Sequence, residues 1–302
     1  SGDDGRFEYI YKFVSKGRFR RGDDRRNRRL LEEGTLYVAK FTGDSPKSEI
    51  DGSGKPPRDG EFDGTGEWIP LVSGNRSFVP GMSAAEVLVY TRLAADKVGA
   101  TKMDRPEDVE RNPVTGAVYA ALTNNTNRTA KQADEANPRA NNRHGHVLEI
   151  VEHGDDAGAT RFRWSVPLVC GDPKDASTYF GGYDKSKVSP ISCPDNLTFD
   201  GQGNLWISTD GNALGSNDGL FAMPVTGPER GRVRQFLTVP KGAETCGPLI
   251  TEDQLSVFVA VQHPGEISGA NPDNPASRWP DGDQPRPSVV VAWHPRGKRI
   301  GS

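Results

Sequence analysis

A strand-opening pattern that recurs three times constrains this chain more than any other feature. Arg105-Pro106-Glu107-Asp108-Val109, Cys193-Pro194-Asp195-Asn196-Leu197 and Glu244-Thr245-Cys246-Gly247-Pro248-Leu249 each set a carboxylate ahead of an apolar residue. A turn rich in Asn, Asp and Gly follows, then a β-rich run at 117–122, 204–209 and 257–261. Aligning Val109, Leu197 and Leu249 puts Asn112, Asp200 and Glu252 at one position, the head of the turn. Short strand, tight turn, short strand, repeated, is how successive blades of a β-propeller read, each a small antiparallel sheet set around a central channel. The expected fold is all-β: a β-propeller, incomplete in this chain, with one short surface helix and long loops.

A repeated position in such a fold becomes a ring position. Glu107, Asp195 and Glu244 are then expected to converge at the channel mouth, although they lie far apart in sequence. Glu8 also stands at the head of a strand and joins them as a candidate. Gathered carboxylates cannot stay charged and unpaired, so they bind cations or take up protons. Hard cations such as calcium want six to eight oxygen ligands, which makes Glu8, Glu107, Asp195 and Glu244 the candidate metal ligands. Arg6 lies two residues before Glu8, and in an extended strand both would face the same way. An arginine beside a carboxylate-bound cation is a natural receptor for phosphate.

Composition supports the fold class and removes some partners. The 302 residues include 35 Gly and 23 Pro, which suits a loop-rich β protein better than a helical bundle. A net charge of -3 gives no reason to expect nucleic acid or an anionic membrane surface as partner. No apolar run reaches the roughly 18 residues of a membrane span. The sequence opens at Ser1 without initiator Met or signal peptide, so residues 1–302 are expected to be the C-terminal part of a single propeller domain. The three cysteines, Cys170, Cys193 and Cys246, lack zinc-site spacing and read as buried structural thiols.

Residues 7–14 and 35–41 read as a hairpin. Their arginine-rich connection, 16–34, reads as a solvated loop, with only Phe19 available for base stacking. Ser83 and Glu86 form a capping box for a helix whose apolar stripe is Val87, Tyr90, Leu93, Ala94 and Val98, ended by Gly99. Residues 124–143, dense in Asn and Arg, read as a long loop or inserted excursion. The segments 146–150 and 160–164 suggest an additional blade between the first two repeats. Residues 288–293 are a final strand. An open ring leaves raw strand edges, so the chain on its own is expected to self-associate.

Together the stretches 2–14, 31–41, 103–125, 192–211 and 242–265 resemble the C-terminal half of the bacterial PhoX alkaline phosphatase family. Arg6-Phe7-Glu8-Tyr9-Ile10-Tyr11-Lys12-Phe13-Val14 and Pro194-Asp195-Asn196-Leu197 are the most specific blocks. The resemblance implies a propeller fold and export to the periplasm or beyond by the twin-arginine route. It also implies hydrolysis of small phosphate monoesters at a cluster of calcium and ferric ions, in a protein that is monomeric when full length. By position it makes Glu8 and Glu244 metal ligands and Arg6 the residue that holds the substrate phosphate. Glu107 and Asp195 come from the repeat. Family ligands that include a cysteine come from the N-terminal half, and none of the three cysteines here matches that one. A calcium-dependent propeller lactonase or esterase, or a non-catalytic propeller binding platform, are the alternatives left open. The absence of a Gly-x-Ser-x-Gly elbow and of a P-loop removes two other hydrolase classes.

Overall fold

The three repeats fold into three equivalent β-bulges. The computed structural model describes residues 1–2, 4–211 and 213–301; Asp3, within the first family-like stretch, lies outside them. In chain order the elements open with β1 (Arg6–Glu8), β2 (Tyr11–Ser15), α1 (Asp24–Asn27), β3 (Gly34–Gly43), β4 (Asp63–Ser73) and β5 (Arg76–Ser77). Then come α2 (Ala84–Val89), α3 (Thr91–Lys97), β6 (Met103–Asp104), β7 (Pro106–Arg111), β8 (Val118–Leu122), β9 (His146–Glu152), β10 (Arg161–Val169) and β11 (Tyr179–Phe180). The chain continues through β12 (Pro194–Phe199), β13 (Leu205–Thr209), β14 (Gly219–Met223), β15 (Arg234–Thr238), β16 (Glu244–Ile250), β17 (Ser256–Gln262) and β18 (Ser288–Trp293).

Strands β7 to β10 form one antiparallel meander, β12 to β15 a second, and β16 to β18 a third. These are three blades of a β-propeller-like fold. The meander β2-β3-β4 adds to the outer edge of the first blade by pairing β4 with β10, which makes a nine-stranded sheet when β5 and β11 are included. The expected additional blade at 146–164 is therefore absent among the described residues. Those segments are β9 and β10 and complete the first blade, because the excursion from β8 returns to pair β9 with β8.

Apolar patterning follows the blade stacking. The run Val118–Leu122 is buried nearly throughout because both its faces are covered. Tyr119 and Ala121 pack toward the second blade with Leu197, Leu205 and Ile207. Ala120 and Leu122 pack on the other side with Ile10, Met103 and Trp164. Strand β13 is likewise buried at every residue, with Trp206 turned to Val257 of the third blade. The third blade alternates instead. On its outer face Leu249, Phe258 and Val291 lie side by side in register, with Trp293 63% exposed on the same strand as Val291.

The capping box at Ser83 and Glu86 is formed, but the expected single helix is two, broken at Tyr90 with φ -113 and ψ 47. The break re-aims the stripe. Val87, Ala94 and Ala95 are buried, whereas Tyr90 and Leu93 face solvent. The arginine-rich connection is exposed as expected and carries one short turn of helix, α1, capped by Asp23 and with no buried residue. At the turn heads Asn112 accepts from Val114 and Thr115 and Asp200 from Gln202 and Asn204. In the third turn that role moves one residue on, to Asp253, which accepts from Leu255.

The excursion at 124–143 carries one 3-10 turn, Ala130–Gln132, and is otherwise irregular. It is not a solvated loop. Asn125, Arg128, Asn137, Arg139 and Asn142 are all at most 5% exposed. Arg139 and the Gly145 amide hydrogen-bond the Asn142 carbonyl oxygen, and the Asn142 amide donates to Asp104 at 2.9 Å. His146 is wholly buried, which lowers its pKa to about 4 and keeps it neutral. Its Nε2 lies 3.0 Å from the Ala136 carbonyl and its Nδ1 3.2 Å from the Asn142 amide, which assigns the proton to Nε2.

Candidate active site at the channel mouth

Each blade's first strand carries the same irregularity. From Pro106 to Val109 the chain advances three residues while its partners, Leu122 and Ala120, advance two. Pro194 to Leu197 against Thr209 and Ile207, and Cys246 to Leu249 against Ala260 and Phe258, repeat it. An extra residue bends a strand and re-aims its side chains. Glu107 and Asp195 occupy the same bulge position, and Gly247 takes it in the third blade. Glu244 stands three residues earlier, equivalent to Asp104 and Ser192, so the repeat relates it to those two and not to Glu107 and Asp195.

Successive bulges are latched across the blades. Asp108 Oδ2 accepts from the Leu197 amide at 2.9 Å, and Asn196 Oδ1 accepts from the Gly247 amide at 2.7 Å. Asp108 and Asn196 are equivalent, so one hydrogen-bonding device is used twice. The bulges border a cavity of about 630 Å³ lined by Glu107, Asp108, Asn196, Leu197 and Gly247. That cavity is lined by the first strands of the three blades, β7, β12 and β16.

Glu107, Asp195 and Glu244 lie close enough for charge to act from one carboxylate to the next, and Asp4 and Asp210 join them. Burial, then the Asp4 and Asp195 carboxyls, push Glu107 up to about 8. Burial and the charges of Glu244 and Asp210 push Asp195 up to about 7. Asp210 and Glu244 are raised from the same causes, burial first. Arg105 and His263 face the cluster. Arg105 pairs with Asp4 at 2.8 Å and with Glu107 at 3.2 Å, and His263 Nε2 lies 3.2 Å from Glu244 Oε2 while its Nδ1 meets Glu266. Gln262 donates to Glu244 Oε1 at 2.9 Å. Asp4 and Asp210 are additions that sequence reading did not make. Asp210 directly follows β13, and the only signal was its place one residue past a buried strand.

The two residues on β1 are placed differently from each other. Arg6 opposes Asp104 and Glu8 opposes Met103, so three residues of β1 face two of β6, with Phe7 the extra one at φ 66. The expectation that Arg6 and Glu8 face the same way is thereby corrected, since a bulge between them breaks the alternation. Arg6 is exposed, whereas Glu8 is 8% exposed and pairs with Arg92 of α3 at 2.7 Å. The segment ahead of β1 runs against β7: a Cβ on Gly2 would sit 2.8 Å from the Glu107 carbonyl oxygen.

The three thiols are free, and burial raises the pKa of each, Cys246 to about 11. A separate trio, Asp44, Asp59 and Asp63, brings carboxylate oxygens within 4.8 Å of one another. Asp44 and Asp59 are exposed, and none of the three belongs to the repeat.

Proton uptake by these carboxylates has a measurable consequence for the metal-free protein. Glu107 and Asp195 hold protons up to about pH 8 and 7 when folded and release them near pH 4 when unfolded. Over that interval the folded state binds more protons, so their contribution is present at low pH and is lost as pH rises through about 7 and 8. The urea midpoint of chelator-treated protein is expected to fall between about pH 5 and pH 9. A midpoint that stays level or rises would contradict the clustering.

The family profile for alkaline phosphatase PhoX matches residues 1–265. A solved structure of Pseudomonas fluorescens PhoX, in complex with vanadate as a transition state analogue, is 34% identical and superposes with a TM-score of 0.80. That alignment covers 99% of this chain and 51% of the other, so the chain spans about half the length of its solved relative. Comparison with curated protein sequences gave no match.

Proposed function

Because this chain belongs to the PhoX alkaline phosphatase family, we propose that residues 1–302 are part of a single propeller domain in an exported, calcium- and iron-dependent phosphomonoesterase. The observation that carries this reading is that Glu107, Asp195, Asp210 and Glu244, from three blades, each have their proton affinity raised by burial and by the charges of neighbouring carboxylates. An all-oxygen donor set of this kind fits hard cations such as calcium and ferric iron. Glu107, Asp195 and Glu244 would hold them from the bulges and blade heads, and Glu8 would contribute from β1. The ions, when bound, supply neutralisation of phosphate charge, activation of an oxygen nucleophile and stabilisation of the leaving alkoxide.

The chain's own residues do the positioning. Arg6, which is exposed, would present a planar fork to two non-bridging phosphate oxygens. Arg105, held between Asp4 and Glu107, fixes the Glu107 carboxylate. His263 and Gln262 each engage one oxygen of Glu244 and so fix its plane. Phosphoryl transfer asks little covalent chemistry of a protein, so such positioning carries much of the rate. The substrates are small phosphate esters.

Elemental analysis of the full-length protein, with hydrolysis of an aryl phosphate measured with and without calcium, tests the reading. Bound calcium and iron with calcium-dependent turnover are expected. No bound metal and no turnover would leave a binding platform. Turnover of lactones without inhibition by inorganic phosphate would point to the lactonase alternative.

A further inference from the structure

We propose that Arg128, within the buried excursion, is a positioning residue for Arg6: it clamps the left-handed bulge at Phe7 that sets Arg6 on the exposed side of the strand and Glu8 on the buried side. The inference rests on the phosphate-binding reading of Arg6. Its physical content lies elsewhere, in a segment of the chain to which the site chemistry gave no role.

Phe7 is a bulky residue at φ 66, a conformation that such side chains rarely adopt without support from their surroundings. The support is specific. The Arg128 guanidinium lies 5.2 Å from the Phe7 ring centroid, within cation–π range. The same guanidinium is fixed on its other edges. Nε donates to Asp104 at 2.7 Å, and the two terminal nitrogens donate to the carbonyls of Gln132 and Lys102 at 2.6 and 2.7 Å. Arg128 is 3% exposed and Asp104 fully buried.

Asp104 is also the residue opposite Arg6 in the β1–β6 pairing. One arginine therefore holds both walls of the bulge: the ring of its extra residue and the side chain of the strand it pairs with. A planar guanidinium hydrogen-bonded through each of its three nitrogens can do this, whereas a lysine in its place keeps the charge beside Asp104 but loses the stack and the fork. The excursion that carries Arg128 is closed in turn by Asn142, which donates to the second oxygen of Asp104 at 2.9 Å.

The test is a double-mutant cycle in the full-length, metal-loaded protein. Arg128→Lys is expected to raise KM for an aryl phosphate and the inhibition constant of inorganic phosphate together, by about tenfold, with metal content unchanged and a smaller change in kcat. Arg6→Ala should produce the same pattern, and the pair combined should cost no more than Arg6→Ala alone, because Arg128 acts only through Arg6. If Arg128→Lys does not yield folded protein, Phe7→Leu, which removes the stack without touching a charge, carries the same expectation. Arg128→Lys with both constants unchanged, or with costs that add to those of Arg6→Ala, would overturn the positioning role even if the melting temperature fell. Arg6→Ala with both constants unchanged would instead overturn the phosphate-binding reading on which the proposal stands.

Discussion

Replacing Glu244 with Gln in the full-length protein is expected to lower kcat/KM for an aryl phosphate by about a thousandfold, because a metal ligand supplies several kcal/mol of transition-state stabilisation. Bound calcium or iron should fall with it. Gln is the informative substitution because it is close to isosteric. It can still meet Gln262 and His263, which now lie 2.9 and 3.2 Å from the two carboxylate oxygens, so the blade head should hold its shape. Folding is checked by urea titration alongside the assay. Loss of activity with an unchanged urea midpoint would place the effect in the site, whereas retained activity with retained metal would remove Glu244 from the ligand set. Glu244 also lies near Asp195 and Asp210, whose charges act on it or are acted on by it. Removing its charge should therefore lower the proton affinity of Asp195, and the pH dependence of metal-free stability should shift to lower pH.

Asp104→Ala is expected to destabilise the protein by about 3–5 kcal/mol, because it strands a buried guanidinium. Asp104 and Arg128 form the most buried ion pair among the described residues, with side chains 0% and 2% exposed and a 2.7 Å contact. The same deletion also removes the 2.9 Å acceptor of the Asn142 side-chain amide, leaving it the His146 ring nitrogen at 3.2 Å. An exposed pair gives the contrast. Lys16 and Glu33 are 79% and 68% exposed at 3.2 Å, and Lys16→Ala should change stability by about 0–1 kcal/mol. Urea unfolding of both variants decides the matter, and equal effects would mean that the buried network is not the organising element described above. For this reason the positioning role of Arg128 is tested with Lys, which retains a charge for Asp104.

Much of the fold was written in local pattern. The runs at 117–122, 204–209 and 257–261 are strands, the capping box at Ser83 is formed, and aligning Val109, Leu197 and Leu249 matches the three bulges residue for residue. The nearness of Glu107 and Asp195 also followed from the repeat, since a repeated position in a ring is a shared position in space, whereas Glu244 reaches them from a position three residues earlier that the repeat does not equate with theirs. What could be misread was anything set by long-range pairing. Residues 146–164 carry ordinary strand signals, and nothing local tells the third and fourth strands of one blade from the first and second of another. The excursion at 124–143 reads as a long loop or insertion, and its polar composition says nothing about burial. Its side chains are buried because they satisfy one another, an arrangement that composition does not reveal.

The sequence by itself determined the all-β class, the blade repeat, the turn chemistry at Asn112 and Asp200, and the family. Each of these is encoded in periodicity or in short motifs whose physics is local. Tertiary structure alone decided the side-chain geometry of the site. It placed Phe7 in a left-handed bulge that separates Arg6 from Glu8 and brought Asp4 and Asp210 close to Glu107 and Asp195. It also turned a polar loop into a buried clamp. These outcomes depend on which strand edges meet and which charges are desolvated together, and both are properties of the assembled sheets, fixed only when distant segments pair.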